Sequence, residues 1–363
     1  MPQIYNPTYI FWARVISALI SPFYIFLNFF RNTKRIPNEA IKNIVVCQYH
    51  RIGDVILIAP VLGSLKTKFP QSKITLLCCT GALDFAEELQ LADEVIAVDA
   101  PWTNWNWSLF QWLKIRSFAK SFRKKNIDLA IDFKGDIRNS WFLWHMKSKM
   151  SFGYADTGGS YFYTHCQPIP KVMHQTERSI NLISELGCNI EIQSSKESTS
   201  NASGHLVLHA GGTDPKRSWP SKKWVELADS LSRDYKVTII KTPETDPIIQ
   251  RIKDRNIPVE LFESDLPAFQ NWLKNQKMLV GIDSMPGHLA AYLGVPVVSI
   301  FGSQDPNWTR PLGKWVEVVK PEVSCVHDRN HWRLCSKCMD SIDVKKVIHG
   351  IEKLISRVRM GDK

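Results

Sequence analysis

The segment GIDSMPGHLAAYLGVPVVSIFG, residues 281–302, combines polar and flexible residues with two apolar runs. This order predicts a buried strand, a polar turn, a short helix that ends at Gly294, and a second buried strand. The turn contains Asp283, Ser284, Met285, Gly287 and His288. Because the first amides of a helix lack partners within the helix, we predict that this turn binds an anion such as a diphosphate. Alternatively, Asp283 and Ser284 only cap the helix, and His288 is an ordinary buried histidine.

Two other glycine-bearing turns follow strand-like runs. Arg51-Ile52-Gly53-Asp54 places a carboxylate at the start of a helix, where a plain helix cap is the alternative role for Asp54. The second turn, residues 209–213, is followed closely by Lys216 and Arg217. Cations beside free amides suit a diphosphate without a metal, although such a pair can also be solvated surface charge. The first half therefore offers a carboxylate, and the second half offers donors for an anion.

Strand-like and helix-like segments alternate on both sides of a polar stretch, which predicts how these turns are positioned. The predicted strands are IKNIVVCQY, ITLLCCT, EVIAVDA and IDLAIDFKG in the first half, and HLVLHAGG, KVTIIK, MLVG and PVVSIFG in the second. This alternation predicts two doubly wound, Rossmann-like α/β domains with parallel sheets, facing a central cleft that is the natural active site. Neither half has the complete G-x-G-x-x-G fingerprint, which argues against a dehydrogenase.

Composition divides the 363 residues into four parts. Residues 1–40 form a hydrophobic, helical extension, and residues 188–204 form a serine-rich, polar linker without periodicity. Residues 41–187 and 205–363 are the two α/β domains, the second of which ends in a helix.

The hydrophobic extension is rich in aromatic and aliphatic side chains over residues 9–30. A helix that spans a membrane needs roughly 20 apolar residues, and Arg14 and Pro22 argue against this role. Because a basic cluster follows at residues 31–35, we predict an interfacial helix on an anionic membrane surface. A helix packed on the surface of the protein itself is the alternative.

The net charge of +11 indicates an anionic partner, such as a nucleotide, an acidic glycolipid or a membrane surface. The lysines and arginines are scattered rather than arranged in one stripe, so we predict no nucleic-acid partner. The eight cysteines are unevenly spaced and do not resemble a disulfide framework, which indicates a reducing compartment.

Three cysteines near the carboxyl terminus have a spacing that leaves a zinc site open. Cys325, Cys335 and Cys338 form C-x9-C-x2-C, and His331 lies between the first two. Three thiolates and an imidazole can hold zinc, but a single C-x2-C is a loose pattern for such a site. The alternative is that these are structural thiols without a metal.

Three segments together resemble glycosyltransferase family 9, the heptosyltransferase family of bacterial lipopolysaccharide synthesis. They are RIGDVILIAPVLGSLKTKFP, LHAGG with KRSWPSKKWVELA, and GIDSMPGHLAAYLGVPVVSIFGSQDP. The resemblance runs from about residue 42 to about residue 356, and it includes the tail CMDSIDVKKVIHGIEKLI. It implies a GT-B fold with an acceptor domain first, an ADP-heptose-binding domain second, and inversion at the anomeric carbon. The chain departs from the family at Ser218, which separates the basic pair from Trp219, and at the order Pro286-Gly287.

The resemblance also implies roles for individual residues. Asp54 matches the catalytic aspartate that removes the proton from the acceptor hydroxyl, with Arg51 and Gly53 on the acceptor side. The implied donor-binding residues are Thr213, Lys216, Arg217, Glu244, Asp283, Ser284, Met285, Gly287 and His288. Because of Ser218, the phosphate cation can be either Lys216 or Arg217. No cofactor is implied beyond the nucleotide-sugar donor.

These inferences predict a glycosyltransferase that moves a heptose from ADP-heptose to the anionic lipopolysaccharide core. We expect it in the cytoplasm, held peripherally on the inner membrane by the extension. One alternative is a transferase of another nucleotide-activated sugar in capsule or O-antigen synthesis. The other is a non-catalytic, nucleotide-binding membrane scaffold.

Overall fold

The computed structural model describes residues 6–31, 33, 36–103, 108–170, 172–188, 203–212, 214–322 and 335–361. Contacts between Cα atoms divide the chain into two compact units, residues 1–191 and 192–363. We name these units domain 1 and domain 2. Most of the predicted linker, residues 189–202, lies outside the described residues.

Domain 1 is built on a six-stranded parallel sheet. Its strands are β1 (Asn43–Gln48), β2 (Lys73–Cys78), β3 (Glu94–Ala97), β4 (Leu129–Asp132), β5 (Met150–Tyr154) and β6 (His165–Gln167), in the order β3-β2-β1-β4-β5-β6. Its helices are α1 (Pro7–Asn28), α2 (Ile52–Lys68), α3 (Leu83–Glu88), α4 (Leu109–Ser121), α5 (Ile137–Met146) and α6 (Gln175–Ser184). Five consecutive residues of β1 are buried, which requires cover on both faces of the sheet and explains the unbroken apolar run.

Domain 2 repeats this architecture. Its strands are β7 (Leu206–His209), β8 (Val237–Ile240), β9 (Glu260–Phe262), β10 (Met278–Ile282), β11 (Val297–Ile300) and β12 (Val316–Val319), in the order β12-β11-β10-β7-β8-β9. Its helices are α7 (Ser221–Leu231), α8 (Asp246–Asp254), α9 (Leu266–Leu273), α10 (Met285–Leu293), α11 (Pro306–Thr309), α12 (Lys337–Asp340) and α13 (Val344–Gly361). The two parallel sheets with flanking helices confirm the predicted α/β class.

The strand orders show where ligands bind in such folds. In domain 1, β1 pairs with β2 on one side and with β4 on the other. In domain 2, β10 pairs with β7 and with β11. In a doubly wound sheet, ligands lie at the carboxyl ends of the strands, where the order reverses. The predicted site residues follow β1, β7, β8 and β10, so they lie towards the carboxyl edges of the two sheets.

Helix α10 begins earlier than the sequence pattern predicts. The pattern places a polar turn up to His288 and a helix from Leu289, whereas the helix begins at Met285. Pro286 accounts for the difference, because proline is well suited to the first turn of a helix, where its missing N–H costs nothing. The predicted anion-binding turn is therefore mostly the first turn of α10.

Helix α1 contains a proline in its interior that the helix accommodates. Pro22 cannot donate to the carbonyl of Ala18, and the hydroxyl of Ser21 donates to that carbonyl instead, at 2.8 Å. Within the described residues, α1 is the one helix that is long and apolar enough to cross a membrane. Only 6% of its most apolar stretch is buried.

Candidate active site

Asp54 is held in the first turn of α2. The residue at the cap position is Arg51, whose carbonyl accepts the backbone N–H groups of Asp54 at 3.1 Å and of Val55 at 3.3 Å. Asp54 itself is the third residue of the helix. The simple cap role considered from the sequence is therefore wrong, and the carboxylate is available for contacts with other elements.

Two side chains from distant parts of domain 1 bind this carboxylate. Lys134, just after β4, donates from Nζ to Oδ2 of Asp54 at 2.7 Å. Gln175, the first residue of α6, donates from Nε2 to Oδ1 at 2.7 Å. Burial raises the pKa of Asp54, but the charge of Lys134 and the two hydrogen bonds outweigh it and hold that pKa well below its usual value. Asp54 is thus an ionised acceptor at neutral pH.

A buried network fixes the turn that carries Lys134. The carboxylate of Asp132 accepts the backbone N–H of Lys134 at 3.1 Å and the hydroxyl of Tyr163 at 2.7 Å. Gly135 has φ of +74°, and a Cβ there would lie 2.9 Å from the Cβ of Tyr154. Only glycine fits this turn without strain, so the turn fixes the backbone position from which Lys134 reaches Asp54.

His50 lies between β1 and α2 and has not been predicted from the sequence. Its ring stacks on Tyr49 with centroids 5.2 Å apart. Neither ring nitrogen has a hydrogen-bond partner among the described residues, although both are buried. Burial, followed by the charge of Lys134, lowers the pKa of His50 well below its usual value, so the imidazole is neutral. Such an imidazole is unusual, because buried polar groups normally have a hydrogen-bond partner, and it lies next to the helix that carries Asp54.

A cavity of about 460 Å³ opens at the same edge of the sheet, at the end of β3. Its lining consists of residues 97–101 together with Gln111, Lys114, Ile115 and Phe118. Asp99 in this lining accepts the hydroxyl of Thr80 at 2.9 Å. The mixture of carboxylate, ammonium, amide and apolar groups suits a polyhydroxylated ligand.

In domain 2, Arg217 is bound to Asp283, which lies two residues before the start of α10. Its guanidinium group donates to Oδ2 of Asp283 at 2.5 Å and also to the carbonyl of Asp283. Burial raises the pKa of Asp283, and Arg217 opposes this effect. Arg217 therefore places its positive charge at the N-terminus of α10, where the helix dipole also favours an anion.

The carboxyl ends of β7, β8 and β10 bring three more polar residues together. Nδ1 of His209 lies 3.1 Å from the hydroxyl of Ser284, which makes no capping hydrogen bond to the helix it precedes. Burial lowers the pKa of His209 to about 4, and the negative charge of Glu244 opposes that effect. Ser284 and Glu244 are predicted site residues, whereas His209 has been missed because a histidine at the end of a buried strand resembles core.

Glycines bring the backbone close to its neighbours around this region. A Cβ on Gly211 would lie 2.6 Å from Oγ1 of Thr242, and one on Gly212 would lie 2.6 Å from Cδ1 of Ile282. A Cβ on Gly287 would lie 3.3 Å from Cγ of Pro311. The order Pro286-Gly287 thus combines a favourable first turn of α10 with close packing on Pro311.

The remaining predicted residues differ in position. Lys216 is exposed, with its backbone N–H bound to the carboxylate of Asp214 at 3.1 Å. Met285 opens α10, His288 is buried in it, and Gly53 is half-buried in α2. Thr213 lies outside the described residues.

The possible zinc ligands are only partly within the described residues. The thiols of Cys335 and Cys338 lie 3.7 Å apart, whereas Cys325 and His331 lie outside the described residues. In the described part of the chain, no three His, Cys, Asp or Glu residues are arranged to hold a metal.

Comparisons with known proteins agree with this architecture. The model of "Glycosyltransferase family 9 (heptosyltransferase)" matches residues 115–337, which include parts of both domains. Lipopolysaccharide heptosyltransferase 3 of Escherichia coli K12 is 23% identical over 349 residues, which cover 85% of this chain and 96% of the relative.

Two solved structures show the same fold. The glycosyltransferase of family 9 from Veillonella parvula has a TM-score of 0.72 at 21% identity, covering 90% of this chain and 99% of that one. The E. coli heptosyltransferase WaaC with ADP-2-deoxy-2-fluoro heptose has a TM-score of 0.69 at 19% identity, covering 86% and 99%. The two-domain α/β architecture is thus the GT-B fold. Because the family model spans more than half of the sequence, this chain belongs to glycosyltransferase family 9 and is a glycosyltransferase.

Proposed function

We propose that this enzyme transfers a heptose from ADP-heptose to the lipopolysaccharide core, with inversion at the anomeric carbon. The observation that carries the proposal is the Asp54 carboxylate, held ionised at the carboxyl edge of the domain 1 sheet in a chain of this family. The similarity to lipopolysaccharide heptosyltransferase 3 supports a lipopolysaccharide acceptor. The similarity to WaaC with ADP-2-deoxy-2-fluoro heptose supports ADP-heptose as the donor.

In the proposed reaction, the acceptor hydroxyl oxygen attacks the anomeric carbon of the heptose. Asp54 takes the hydroxyl proton as the new C–O bond forms, and the bond from that carbon to the diphosphate oxygen breaks. Lys134 keeps Asp54 ionised but also weakens it as a base, since a lowered pKa means lower proton affinity. Gln175 fixes the other carboxylate oxygen, so the carboxylate is held in one orientation.

The leaving ADP gains negative charge, and domain 2 offers groups that stabilise it. Arg217 and the first amides of α10 supply positive charge at one place, and the hydroxyl of Ser284 adds a donor. Glu244 and His209 lie at the ends of the neighbouring strands, where we place the nucleoside. In this proposal the cations of the chain do the work of a metal, so activity should survive a chelator.

The donor is tested by measuring binding and turnover with ADP-heptose, ADP-glucose, UDP-N-acetylglucosamine and GDP-mannose. We expect saturable binding and transfer with ADP-heptose, with a de-heptosylated lipopolysaccharide as the acceptor. Preference for a UDP- or GDP-sugar would contradict the heptose assignment and favour a transferase for capsule or O-antigen. The departures at Ser218 and at Pro286-Gly287 lie in the donor region, which makes this comparison informative.

Replacing Lys134 with methionine tests the role of the lysine in setting the protonation of Asp54. In the wild type, the lowered pKa of Asp54 keeps the base active to low pH. Without Lys134, burial raises that pKa, so the acidic limb of the kcat/KM profile should move to higher pH by about 1–3 units. The matched control is Lys149→Met, which removes the ammonium group that lies 2.7 Å from Asp128 in the same domain. Identical acidic limbs in all three proteins would contradict the assignment.

The acceptor is proposed to be an anionic glycolipid, met at the cytoplasmic face of the inner membrane. The net charge of +11 and the apolar outer face of α1 support a peripheral position there.

A further inference from the structure

Helix α1 is attached to domain 1 by polar contacts along one face. The backbone N–H of Gly159 donates to Oγ of Ser17 at 2.8 Å. Near the other end, Nδ2 of Asn28 donates to the carbonyl of Tyr161 at 2.7 Å, and Nε1 of Trp144 donates to Oδ1 of Asn28 at 2.8 Å. These contacts extend over three turns, so the helix lies along the surface of the domain instead of projecting from it.

The opposite face of α1 and the residues just after it carry large apolar side chains in contact with water. These are Trp12, Ile16, Leu19, Phe23, Phe26 and Phe30, with exposed fractions between 54% and 76%. Their spacing of three or four residues places them along one side of the helix. We name this set the apolar ridge. An apolar surface of this length marks a binding surface for a protein or a membrane.

Helix α4 adds a second stripe that changes from apolar to cationic along its length. Leu109 and Leu113 are exposed, and Arg116 and Lys120 continue the same spacing of three or four residues, as does Arg123 in the 3-10 turn that follows the helix. Both helices pack on Trp141 of α5. The indole of Trp141 donates to the hydroxyl of Tyr24 in α1 at 3.2 Å, and its ring lies 5.6 Å from that of Trp112 in α4.

The cationic part of α4 meets the end of α1 at a cluster of four positive charges. The cluster consists of Arg31, Arg116, Lys120 and Arg123, and we name it the cationic cluster. Nε of Arg123 donates to the carbonyl of His145 at 2.9 Å, and the guanidinium of Arg31 lies 5.2 Å from the ring of Trp144. Burial and then these four cations lower the pKa of His145 to about 3, which reflects how near they are. In the described part of the chain, none of the four is ion-paired with a carboxylate.

We propose that the apolar ridge and the cationic cluster form one membrane-binding face for a bilayer of anionic phospholipid, with α1 lying in the plane of the interface. The apolar ridge enters the boundary between headgroups and acyl chains, and the cationic cluster contacts lipid phosphates. Charge complementarity selects this occupant, because four unpaired cations beside exposed aromatic side chains would repel a basic protein surface and match an anionic leaflet. The inference rests on the peripheral membrane position proposed above and names the face that makes the contact; it does not depend on which sugar is transferred.

The hydrogen bonds between α1 and domain 1 favour a helix that lies on the membrane over a helix that crosses it. A spanning helix is surrounded by lipid over its full length, so the hydrogen bonds of Ser17 and Asn28 with domain 1 would have to break. An interfacial helix keeps them, because only the apolar ridge enters the bilayer.

The test is flotation of the full chain with vesicles of phosphatidylcholine alone and with an equimolar mixture of phosphatidylcholine and phosphatidylglycerol. We expect strong binding only to the mixture, weakened by high salt. The double variant Arg116→Gln, Lys120→Gln should bind about 30-fold more weakly, since each cation near an anionic surface contributes about fivefold. The matched control, Lys222→Gln with Lys253→Gln, removes two exposed lysines of domain 2. Equal effects of the two double variants, or equal binding to both kinds of vesicle, would overturn the cationic cluster as the contact.

Two further measurements test the apolar ridge and keep the inference separate from the proposed reaction. The double variant Ile16→Glu, Leu19→Glu should lose flotation, and the wild type should be released from membranes by alkaline carbonate. Undiminished flotation of that variant, or retention after carbonate, would overturn the interfacial position. Transfer to a lipid-free acceptor oligosaccharide should be unchanged in the double variant of α4 (Arg116→Gln, Lys120→Gln) and in that of α1 (Ile16→Glu, Leu19→Glu). A loss of that activity would show that these residues serve the reaction, and would overturn their assignment to the membrane.

Discussion

Replacing Asp54 with asparagine is expected to lower kcat for sugar transfer by about 10²–10⁴-fold, the usual contribution of a positioned general base. The amide keeps the size of the side chain and one acceptor oxygen for Lys134 or Gln175, but it cannot take a proton. Donor affinity should change little, because the proposed diphosphate site lies in domain 2. The measurement is single-turnover transfer combined with calorimetric binding of the donor.

The matched control for this prediction is Asp84→Asn. Asp84 is an exposed carboxylate in the first turn of α3 in the same domain, so like Asp54 it lies in the first turn of a helix, but without buried partners. Its substitution should leave kcat unchanged. Thermal unfolding of Asp54→Asn checks that the domain remains folded around Lys134. A folded Asp54→Asn protein that turns over at the wild-type rate would refute the assignment of the base.

Replacing Arg217 with alanine is expected to lower kcat/KM by about 10²–10³-fold, the range found when one preorganised donor to a developing anion is removed. The loss should appear also as weaker binding of ADP, since the same guanidinium would contact the diphosphate before and after transfer. The neighbouring cation provides the control, because Lys216 is exposed and points to no described carboxylate. Lys216→Ala should change kcat/KM only slightly.

The opposite ranking of these two variants would contradict the placement of the phosphate at Arg217. Removing Arg217 also leaves the buried carboxylate of Asp283 without its partner, which is costly by itself. The double variant Arg217→Ala, Asp283→Asn relieves that cost. If its affinity for ADP returned to the wild-type value, Arg217 would be a structural partner of Asp283 and not a ligand of the donor.

Most inner strands of the two sheets could be predicted from the sequence, and most edge strands could not. The exceptions are the edge strand β3, which EVIAVDA predicts, and the inner strand β5, whose short buried run MSFGY was not recognised. Strands β1, β4 and β10 are buried on both faces, so their residues form continuous apolar runs that stand out. Strands β6 and β9 have three residues each and are largely solvent-accessible, and HCQ and ELF carry no strand pattern. Strand β12 was missed although VEVV alternates in the expected way.

The candidate site was predictable where its residues lie in a turn or helix start soon after a buried strand. Asp283 and Ser284 follow β10 directly, and Asp54 lies in the first turn of the helix after β1, so turn chemistry indicates them. Lys134 and Gln175 lie 80 and 121 residues beyond Asp54, and only the pairing of β1 with β4 and the packing of α6 bring them to it. Lys134 does follow a buried strand, which is a usable signal, whereas Gln175 opens a helix with nothing to distinguish it.

Gly158 has a consequence for any attempt to shorten this protein. Its φ is +96°, and a Cβ there would lie 2.5 Å from the Cβ of Ser17, so the loop is shaped to receive the helix backbone. Deleting the first 40 residues would therefore remove a packed helix from domain 1. The rings of Trp144 and Phe162 would become exposed, since Tyr24 packs against both. The truncated enzyme would expose a new apolar surface and would therefore be less soluble than intended. Replacing the outward-facing apolar residues of α1 with polar ones is the better way to improve solubility.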